Sequence, residues 1–410
     1  MFYDFPIIER IEDVLPAIEG RDEFIVAERD HYKVVNYNVG YEDTFTIDEN
    51  DVMENHGRMI PKGVMRRELR GIIFDRSGKL ISRPFHKFFN IGEREETQLH
   101  NIDLSGDHVI MEKMDGSMIR PLRYFDEHGS EVIKLGTKMG ITDTALEAEA
   151  YFETLSQGDR YAMAHFMVNM TRQGLTPLFE FVSPDNRIVI EYDQADLVLL
   201  AIRDNRTGDY LEMDRVCKLA SADNITVVHM YGQVEGSLDE YVARQRGREG
   251  REGDIIRFAD GHMLKIKNDW YVRIHKVKDK IRTDRHILSL VLENEIDDVL
   301  PHLDERDFAR VREYEADFHA AFRSKVREIE FAARDAWLAA NFNKKKLATV
   351  ILPQSDLDKV DWQLVFKYAD GEDDFYKLVM ARVRSKLGNT AKYNELAEWL
   401  GLITDQGETE

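Results

Sequence analysis

Two patterns of apolar residues divide this chain. Up to about residue 287, short apolar runs bounded by Gly, Asp and Pro predict β-strands, at 24–27, 33–37, 71–74, 109–112 and 178–182. Helices are fewer there. Thr142 or Asp143 caps a predicted helix over 142–152, and 151–171 is predicted to continue or repeat it. The first part of the chain is therefore predicted to be β-rich with a few helices.

After about residue 288 the apolar residues recur every three or four positions, as on one face of a long amphipathic helix. This stripe consists of Phe308, Val311, Tyr314, Phe318, Phe322, Val326 and Ile329. Residues 375–387 and 393–400 are also predicted to be helical. We therefore expect an α+β protein with one domain over 1–287 and an all-helical domain over 288–410.

Composition indicates a folded chain. Of its 410 residues 43% are apolar and 32% are charged, and only 9 are Pro, which excludes a disordered or collagen-like protein. The longest purely apolar run, 197–202, is far shorter than the roughly 20 residues of a membrane-spanning helix. The acidic first residues do not resemble a signal peptide. Cys217 is the single cysteine, which excludes an intrachain disulfide. We expect a cytoplasmic protein, in the host cytoplasm if a phage encodes it.

A net charge of -21 is a weak argument against a nucleic-acid partner. The Debye length at physiological salt is roughly 8 Å, so a phosphate in a cleft responds mainly to the side chains that line it. Local basic clusters therefore matter. Residues 265–285 contain eight basic and three acidic side chains. The run 344–346 of three lysines is more typical of a solvated helix end.

The turn Lys113-Met114-Asp115-Gly116 lies between two predicted strands, 109–112 and 117–124. Strand alternation places Lys113 on the same side as Val109 and Met111, and an apolar neighbourhood disfavours a charged amine. A neutral lysine amine is a nucleophile. Asp-Gly is also a common turn dipeptide, so an ordinary hairpin is the alternative at this point.

Three further segments supply what an attack on a nucleotide phosphate requires. Lys265 and Lys267 share one strand face while Ile266 points to the other, so two ammonium groups would meet one phosphate ligand and would lower the pKa of a nearby lysine. Glu252 precedes a predicted strand and is a natural outer-shell ligand for Mg²⁺. Glu180 lies between aromatic residues and needs a partner such as a metal or ribose hydroxyls. The sequence contains no P-loop.

The order of these segments resembles the covalent nucleotidyltransferases, which are DNA ligases, RNA ligases and mRNA capping enzymes. Two upstream segments, 70–74 and 83–93, are similar to the ATP-dependent RNA ligase 1 family of T-even bacteriophages. The likeness extends over about residues 35 to 285. It implies a nucleotidyltransferase (ATP-grasp-like ligase) domain of antiparallel sheets and helices, followed by an all-α domain that would bind RNA or tRNA.

The resemblance also implies a reaction. Lys113 attacks ATP and retains AMP, the AMP passes to an RNA 5′-phosphate, and a 3′-hydroxyl then displaces it. ATP and Mg²⁺ or Mn²⁺ would be required, with Glu252 and Glu180 serving the metal through water. The implied ATP or AMP contacts are Arg70, Lys87, Lys138, Glu180, Glu252, Lys265 and Lys267. The implied supporting or substrate-phosphate residues are Asp115, Gly116, Phe89, Gly253 and Tyr271.

Alternatives remain within and outside this enzyme class. A DNA ligase or a capping guanylyltransferase usually continues into an OB-fold after the paired lysines, whereas a helical stripe follows here. A non-catalytic, nucleotide-regulated RNA-binding module would not need the nucleophile Lys113. The family likeness also suggests a monomer that repairs nicked tRNA, although any RNA with 5′-phosphate and 3′-hydroxyl ends would serve.

Overall fold

In the computed structural model, which describes residues 4–185, 187–355 and 357–402, every described strand lies before residue 268. The strands are β1 (Phe24–Glu28), β2 (Tyr32–Tyr37), β3 (Val52–Asn55), β4 (Arg58–Pro61), β5 (Ile72–Asp75), β6 (Leu80–Ser82), β7 (Phe89–Asn90), β8 (His108–Lys113), β9 (Ser117–Phe125), β10 (Glu131–Gly136), β11 (Leu175–Val182), β12 (Asp196–Asp204), β13 (Met230–Gly232), β14 (Gly253–Phe258) and β15 (Met263–Lys267).

Helices flank these strands and make up most of the chain after them. They are α1 (Lys62–Glu68), α2 (Asp143–Thr154), α3 (Gln157–Arg172), α4 (Met213–Ala222), α5 (Leu238–Arg246), α6 (Asp269–Lys280), α7 (Asp284–Glu293), α8 (Ile296–Val299), α9 (Glu305–Ala339), α10 (Lys344–Lys346), α11 (Lys359–Ala369), α12 (Phe375–Ser385) and α13 (Thr390–Leu400). None of the described helices is both long enough and apolar enough to span a bilayer.

Most of the described strands form three sheets. Their strand orders are β13-β8-β14-β15-β7, β10-β9-β11-β12 and β1-β2-β5-β6. The expected α+β fold of antiparallel sheets is confirmed, with one correction. The short edge strand β7 pairs in parallel with β15, because the chain reaches this edge from another part of the fold and not through a hairpin.

Strand alternation decides which side chains face the interior on each side of the five-stranded sheet. On β8, Met111 is buried in one apolar cluster and Val109 packs against the same cluster, whereas Ile110 belongs to a different cluster on the other side. The predicted placement of Lys113 on the Val109 and Met111 side is therefore confirmed. On β15, Ile266 is buried on the Ile110 side, as the sequence predicts.

A buried cluster of charges holds three segments of the β-rich part together. Glu68, at the end of α1, forms ion pairs with Arg83 and with Arg203 of β12, each with an N–O distance of 2.9 Å. All three side chains are buried, and Arg83 also donates to the carbonyls of Asn205 and Arg206 at 3.1 Å. The two guanidinium groups outweigh the effect of burial and lower the pKa of Glu68. The single carboxylate therefore offsets part of the cost of burying two cations.

The chain divides into two compact units, Met1–Arg273 and Ile274–Glu410. This division precedes the predicted boundary at 287/288, because Ile281, Ile287 and Leu288 already belong to the core of the helical unit. The 35-residue helix α9 confirms the predicted stripe, although Phe308 is 43% exposed. The predicted helical stretch over 142–171 is two helices, since α2 ends at Thr154 and Ser156 caps α3.

Replacing Glu68 with Gln is expected to lower the free energy of unfolding by about 3–5 kcal/mol, since it removes the charged carboxylate with which both buried arginines pair. Urea unfolding measures this loss. The matched control is Glu9→Gln, which removes an exposed pair with Arg206 and should cost less than about 1 kcal/mol. Equal losses in the two variants would contradict the role given to the buried cluster.

Candidate active site

One carboxylate holds two of the predicted lysines side by side. Lys113 at the end of β8 and Lys267 at the end of β15 both lie opposite Gly253, the first residue of the strand between them. Glu252 precedes that glycine, and its Oε1 forms ion pairs with Lys113 Nζ at 2.7 Å and with Lys267 Nζ at 3.0 Å. Glu252 is only 4% exposed, whereas Lys113 is 23% exposed. The candidate nucleophile is thus accessible and paired with a buried anion.

Two glycines permit close approaches of the backbone at this place. Gly253 has a φ of +154°, and a Cβ there would lie 1.9 Å from the carbonyl oxygen of Ile266. A Cβ on Gly116 would lie 2.3 Å from the carbonyl oxygen of Phe181. No larger residue fits either position without movement of the neighbouring strand. The structure therefore gives both predicted glycines a steric role in bringing the strands of the site together.

Lys265 lies one step inward from Lys267 on the same face of β15. Its Nζ is 4.9 Å from the ring centroid of Phe88. Burial, together with the positive charges of Arg70, Lys87 and Lys113, lowers its pKa to about 7. Near neutral pH this lysine is therefore poised between its charged and neutral forms, and an anionic ligand would favour the charged form.

Glu180 lies on β11, opposite Met118 of β9. Desolvation raises its pKa to about 8. The charge of Lys113 acts in the opposite direction, and that of Glu252 adds to the rise. At neutral pH Glu180 is therefore mainly an uncharged carboxyl group, which can donate a hydrogen bond as well as accept one.

Three predicted cations surround a tyrosine that the sequence analysis missed. Tyr37 ends β2, and the Nζ atoms of Lys138 and Lys87 lie 4.1 Å and 5.6 Å from its ring centroid. Burial alone would raise the pKa of Tyr37, but the charges of Arg70, Lys87 and Lys138 lower it overall. Burial also lowers the pKa of Lys138. The sequence shows Tyr37 only as the end of a strand, and nothing local marks its neighbours.

Phe89 packs against Lys87 of this group and against two further cations. Its buried ring lies under Lys87, with 5.5 Å between Nζ and the ring centroid. Arg67 and Arg94 stack on the same ring, each with 5.0 Å from the guanidinium carbon to the centroid. A buried aromatic ring attracts cations electrostatically. Phe89 therefore holds Lys87, Arg67 and Arg94 around one ring.

Asp115 fixes the turn that follows Lys113. Its Oδ2 accepts from the backbone N–H groups of Val189 and Ile190, each at 2.7 Å, and its Oδ1 accepts from the hydroxyl of Tyr271 at 2.6 Å. The backbone N–H of Asp115 donates to the Tyr192 hydroxyl at 3.0 Å. Asp115 and Tyr271 are both buried. Both residues are therefore positioned to orient the turn that follows Lys113.

Arg120 is a second residue that the sequence analysis did not single out. Its guanidinium is fully buried on β9 and donates to the carbonyl of Gly71, the residue after Arg70. Burial lowers its pKa to about 9, and Arg70 contributes to the same shift. Among the described residues its Nε and Nη1 have no hydrogen-bond partner. A buried arginine in a predicted strand has no signal in the sequence.

The site therefore concentrates positive charge that the protein itself compensates only in part. Like charges in one cleft repel each other, and a polyanionic ligand would relieve that repulsion. Within the described ranges, no group of three or more carboxylate, histidine or cysteine side chains forms a metal site. A divalent ion there would need oxygen ligands from a phosphate as well as from the protein, as Mg²⁺ commonly has.

Comparisons with known proteins point to one family. Residues 68–271 match the family model described as RNA ligase, and this range contains every predicted site residue from Arg70 to Tyr271. A candidate RNA ligase of Thermovibrio ammonificans is 28% identical over 355 residues, covering 82% of this chain and 84% of that protein. RNA ligase 1 of bacteriophage TS2126 is 26% identical over 293 residues, covering 66% and 69%. An archaeal ATP-dependent RNA ligase structure aligns with a TM-score of 0.44 and 14% identity, covering 77% and 78%.

The shifted groups predict opposite effects of pH on stability. Lys265 falls from its usual pKa of 10.5 to about 7, so its cost to folding is absent at high pH and complete below pH 7. Glu180 rises from 4.5 to about 8, so its cost is absent at low pH and complete above pH 8. Lys265→Met should raise the unfolding temperature most below pH 7, and Glu180→Gln most above pH 8.

Thermal unfolding across this pH range measures both effects. The exposed residues Lys218 and Glu147 provide the controls Lys218→Met and Glu147→Gln, which should change the unfolding temperature little at any pH. The same pH trend in Lys265→Met and Glu180→Gln would contradict the environments assigned to these two groups.

Proposed function

Because the chain belongs to the T4-type RNA ligase family, we propose that it is an ATP-dependent RNA ligase that seals RNA ends through a covalent AMP adduct on Lys113. The observation that carries this proposal is the contact of one buried carboxylate, Glu252, with both Lys113 and Lys267. This contact brings the proposed nucleophile, Lys113, and the proposed phosphate-binding cation, Lys267, to the same carboxylate oxygen.

In the first step, the Lys113 amine attacks the α-phosphorus of ATP. A phosphorus–nitrogen bond forms, the bond to the bridging oxygen breaks, and pyrophosphate leaves with that electron pair. The attacking nitrogen must first lose a proton, and Glu252 Oε1 lies 2.7 Å from it, within reach to accept that proton. Asp115 and Tyr271 hold the turn so that the amine keeps its position during the attack.

The cations divide into an inner and an outer group. Lys265 and Lys267 share the strand face next to Lys113 and would bind the α-phosphate. Arg70, Lys87 and Lys138 surround Tyr37 and would bind the outer phosphates that depart as pyrophosphate. A pair of opposite unit charges about 4 Å apart contributes roughly 4 kcal/mol at an effective dielectric of 20. Preorganised cations of this kind lower the barrier to phosphoryl-type transfer.

A divalent metal fits this donor set when a phosphate completes its shell. Glu252 and Glu180 would hold Mg²⁺ or Mn²⁺ through water, since carboxylate oxygens are the ligands these ions prefer. The metal would neutralise charge on the phosphate oxygens. Glu252 is already shared between two lysines, and Glu180 is mainly protonated at neutral pH. Both carboxylates would therefore change partners when nucleotide and metal bind.

Two further transfers complete the reaction. An oxygen of an RNA 5′-phosphate attacks the adenylate phosphorus, the bond to Lys113 breaks, and AMP becomes joined to the RNA end. An RNA 3′-hydroxyl then attacks the 5′-phosphorus, AMP leaves, and a 3′,5′-phosphodiester forms. RNA with 5′-phosphate and 3′-hydroxyl ends is thus the proposed substrate, and repair of nicked tRNA in the cytoplasm by a monomer is the proposed setting.

The described part of the second unit favours RNA ligase over the two related enzyme classes. DNA ligases and capping guanylyltransferases usually continue into an OB-fold, whereas the described residues after 273 form helices and contain no strand. Incubation with labelled ATP or GTP, followed by nicked DNA or single-stranded RNA, separates the three. Labelling by GTP, or transfer to nicked DNA but not to RNA, would refute the proposal.

Lys113→Arg should abolish the AMP adduct, because a guanidinium stays protonated and has no free electron pair for the attack. Mass spectrometry of the chain after exposure to ATP and Mg²⁺ detects the adduct and its position. The control variant is Lys134→Arg. Lys134 lies on β10, in the sheet β10-β9-β11-β12, and pairs with Glu149. This variant should keep full labelling. An AMP group on a residue other than 113 would overturn the mechanism.

Tyr271→Phe should slow formation of the adduct about tenfold, since a hydrogen bond from a hydroxyl to a carboxylate contributes about 1.5–3 kcal/mol. Single-turnover labelling at several ATP concentrations gives the rate and the KM separately. A lower rate with an unchanged KM is expected for a residue that orients the turn. A raised KM alone would instead indicate direct contact with ATP. Tyr161→Phe, at a 73% exposed position, is the control.

A further inference from the structure

A stripe of arginines and large apolar residues lies on one exposed face of α9. The stripe consists of Arg323, Arg327, Phe331, Arg334 and Leu338. Their spacing of three or four residues places them on the same side of the helix. Phe331 is 76% exposed and Leu338 is 62% exposed. These side chains contribute nothing to the helical core, whose α9 residues lie on another face.

The turn after α9 exposes a third large apolar side chain, close in the chain to the end of this stripe. Asn341 and Phe342 have φ angles of 51° and 58°, in the left-handed region that bulky side chains rarely adopt. Phe342 is 66% exposed and makes an edge contact with Trp337, with 5.8 Å between the ring centroids. A strained phenylalanine that faces solvent gains little from burial. Strain of this kind persists where the exposed side chain has a use.

The charge of this segment differs from that of the whole chain. Residues 323–346 contain seven basic and three acidic side chains, whereas the chain has 56 basic and 77 acidic ones. Glu330 pairs with Arg334 at 2.6 Å, and Lys344 pairs with Asp370. In the described part of the chain, Arg323, Arg327 and Lys345 form no ion pair, so they remain available to an external anion.

We use the term α9 surface for the stripe together with the two exposed residues that follow it along the chain, namely Arg323, Arg327, Phe331, Arg334, Leu338, Phe342 and Lys345. We propose that the α9 surface binds a single-stranded stretch of the RNA that the enzyme seals, which rests on the proposed function. Phosphates would contact Arg323, Arg327 and Lys345, and bases would stack on Phe331 and Phe342. Exposed aromatic rings beside unpaired cations are what sequence-tolerant binding of single strands requires.

Charge complementarity favours RNA over a protein partner as the occupant. A chain with a net charge of -21 repels RNA over most of its surface, so a locally basic surface is needed to hold the strand. Because residues 323–346 lie outside the matched range 68–271, this contact would be a property of the chain's own second unit.

The full-length chain tests this with a fluorescently labelled single-stranded oligouridylate whose anisotropy reports binding. The double variant Phe331→Ala/Phe342→Ala should weaken binding about tenfold through lost base stacking. Arg323→Gln/Arg327→Gln should reduce the dependence of log affinity on log salt by about 1.4, since each phosphate contact with a single strand contributes about 0.7. The matched control is Phe308→Ala/Arg312→Gln near the start of α9, which should leave RNA affinity unchanged.

AMP labelling of Lys113 is measured in the same variants and should stay unchanged, since the α9 surface has no part in the attack on ATP. Unchanged RNA affinity and salt dependence in both test variants would overturn the proposal. A dimer of the parent chain that Phe331→Ala/Phe342→Ala dissociates, with RNA affinity preserved, would overturn it in favour of a protein interface. If the unaltered chain formed no AMP adduct on Lys113, the ligase chemistry would be refuted instead, whatever the binding result.

Discussion

The site depends on one carboxylate shared by two lysines. Glu252 can contact both Lys113 and Lys267 because Gly253 lets β14 pass between β8 and β15 at a distance that no side chain would permit. Without that anion, two ammonium groups would repel each other at the point where both are needed. The pairing therefore keeps the nucleophile in place before a substrate arrives, and it must be rearranged when phosphate and metal compete for the same partners.

Concentrating cations in a cleft raises the free energy of the folded state, and the shifted pKa values of two groups in the site reflect this. Burial lowers the pKa of Lys265 to about 7 and raises that of Glu180 to about 8. Both groups are held away from their preferred charge states, and a polyanionic ligand would reverse the shift of the lysine. Supporting residues are neutral or fully paired by contrast: Phe89 lies under cations, and Asp115 accepts three hydrogen bonds. The supporting residues thus stabilise the fold, whereas the charged groups of the site destabilise it.

Much of the fold could be predicted from local pattern. The alternation around Lys113 and Lys265 placed both lysines on the correct strand faces, and the α9 stripe predicted a helix that is indeed present. The domain boundary was less predictable. Ile281 lies within the basic segment 265–285 and Ile287 and Leu288 follow it directly, and only their packing in the helical core assigns them to the second unit. The parallel pairing of β7 with β15 likewise has no local signal.

By itself the sequence determined the periodicity of each element, the chemical type of each candidate residue and the order of the segments that identify the family. Those properties are local along the chain, so they can be read without knowing any distance. Only the tertiary structure decided that Glu252 bridges two lysines, that Tyr37 lies among three cations and that Arg120 is buried against Gly71. Each of these depends on which distant strands become neighbours, and both a pKa shift and an ion pair arise from that proximity.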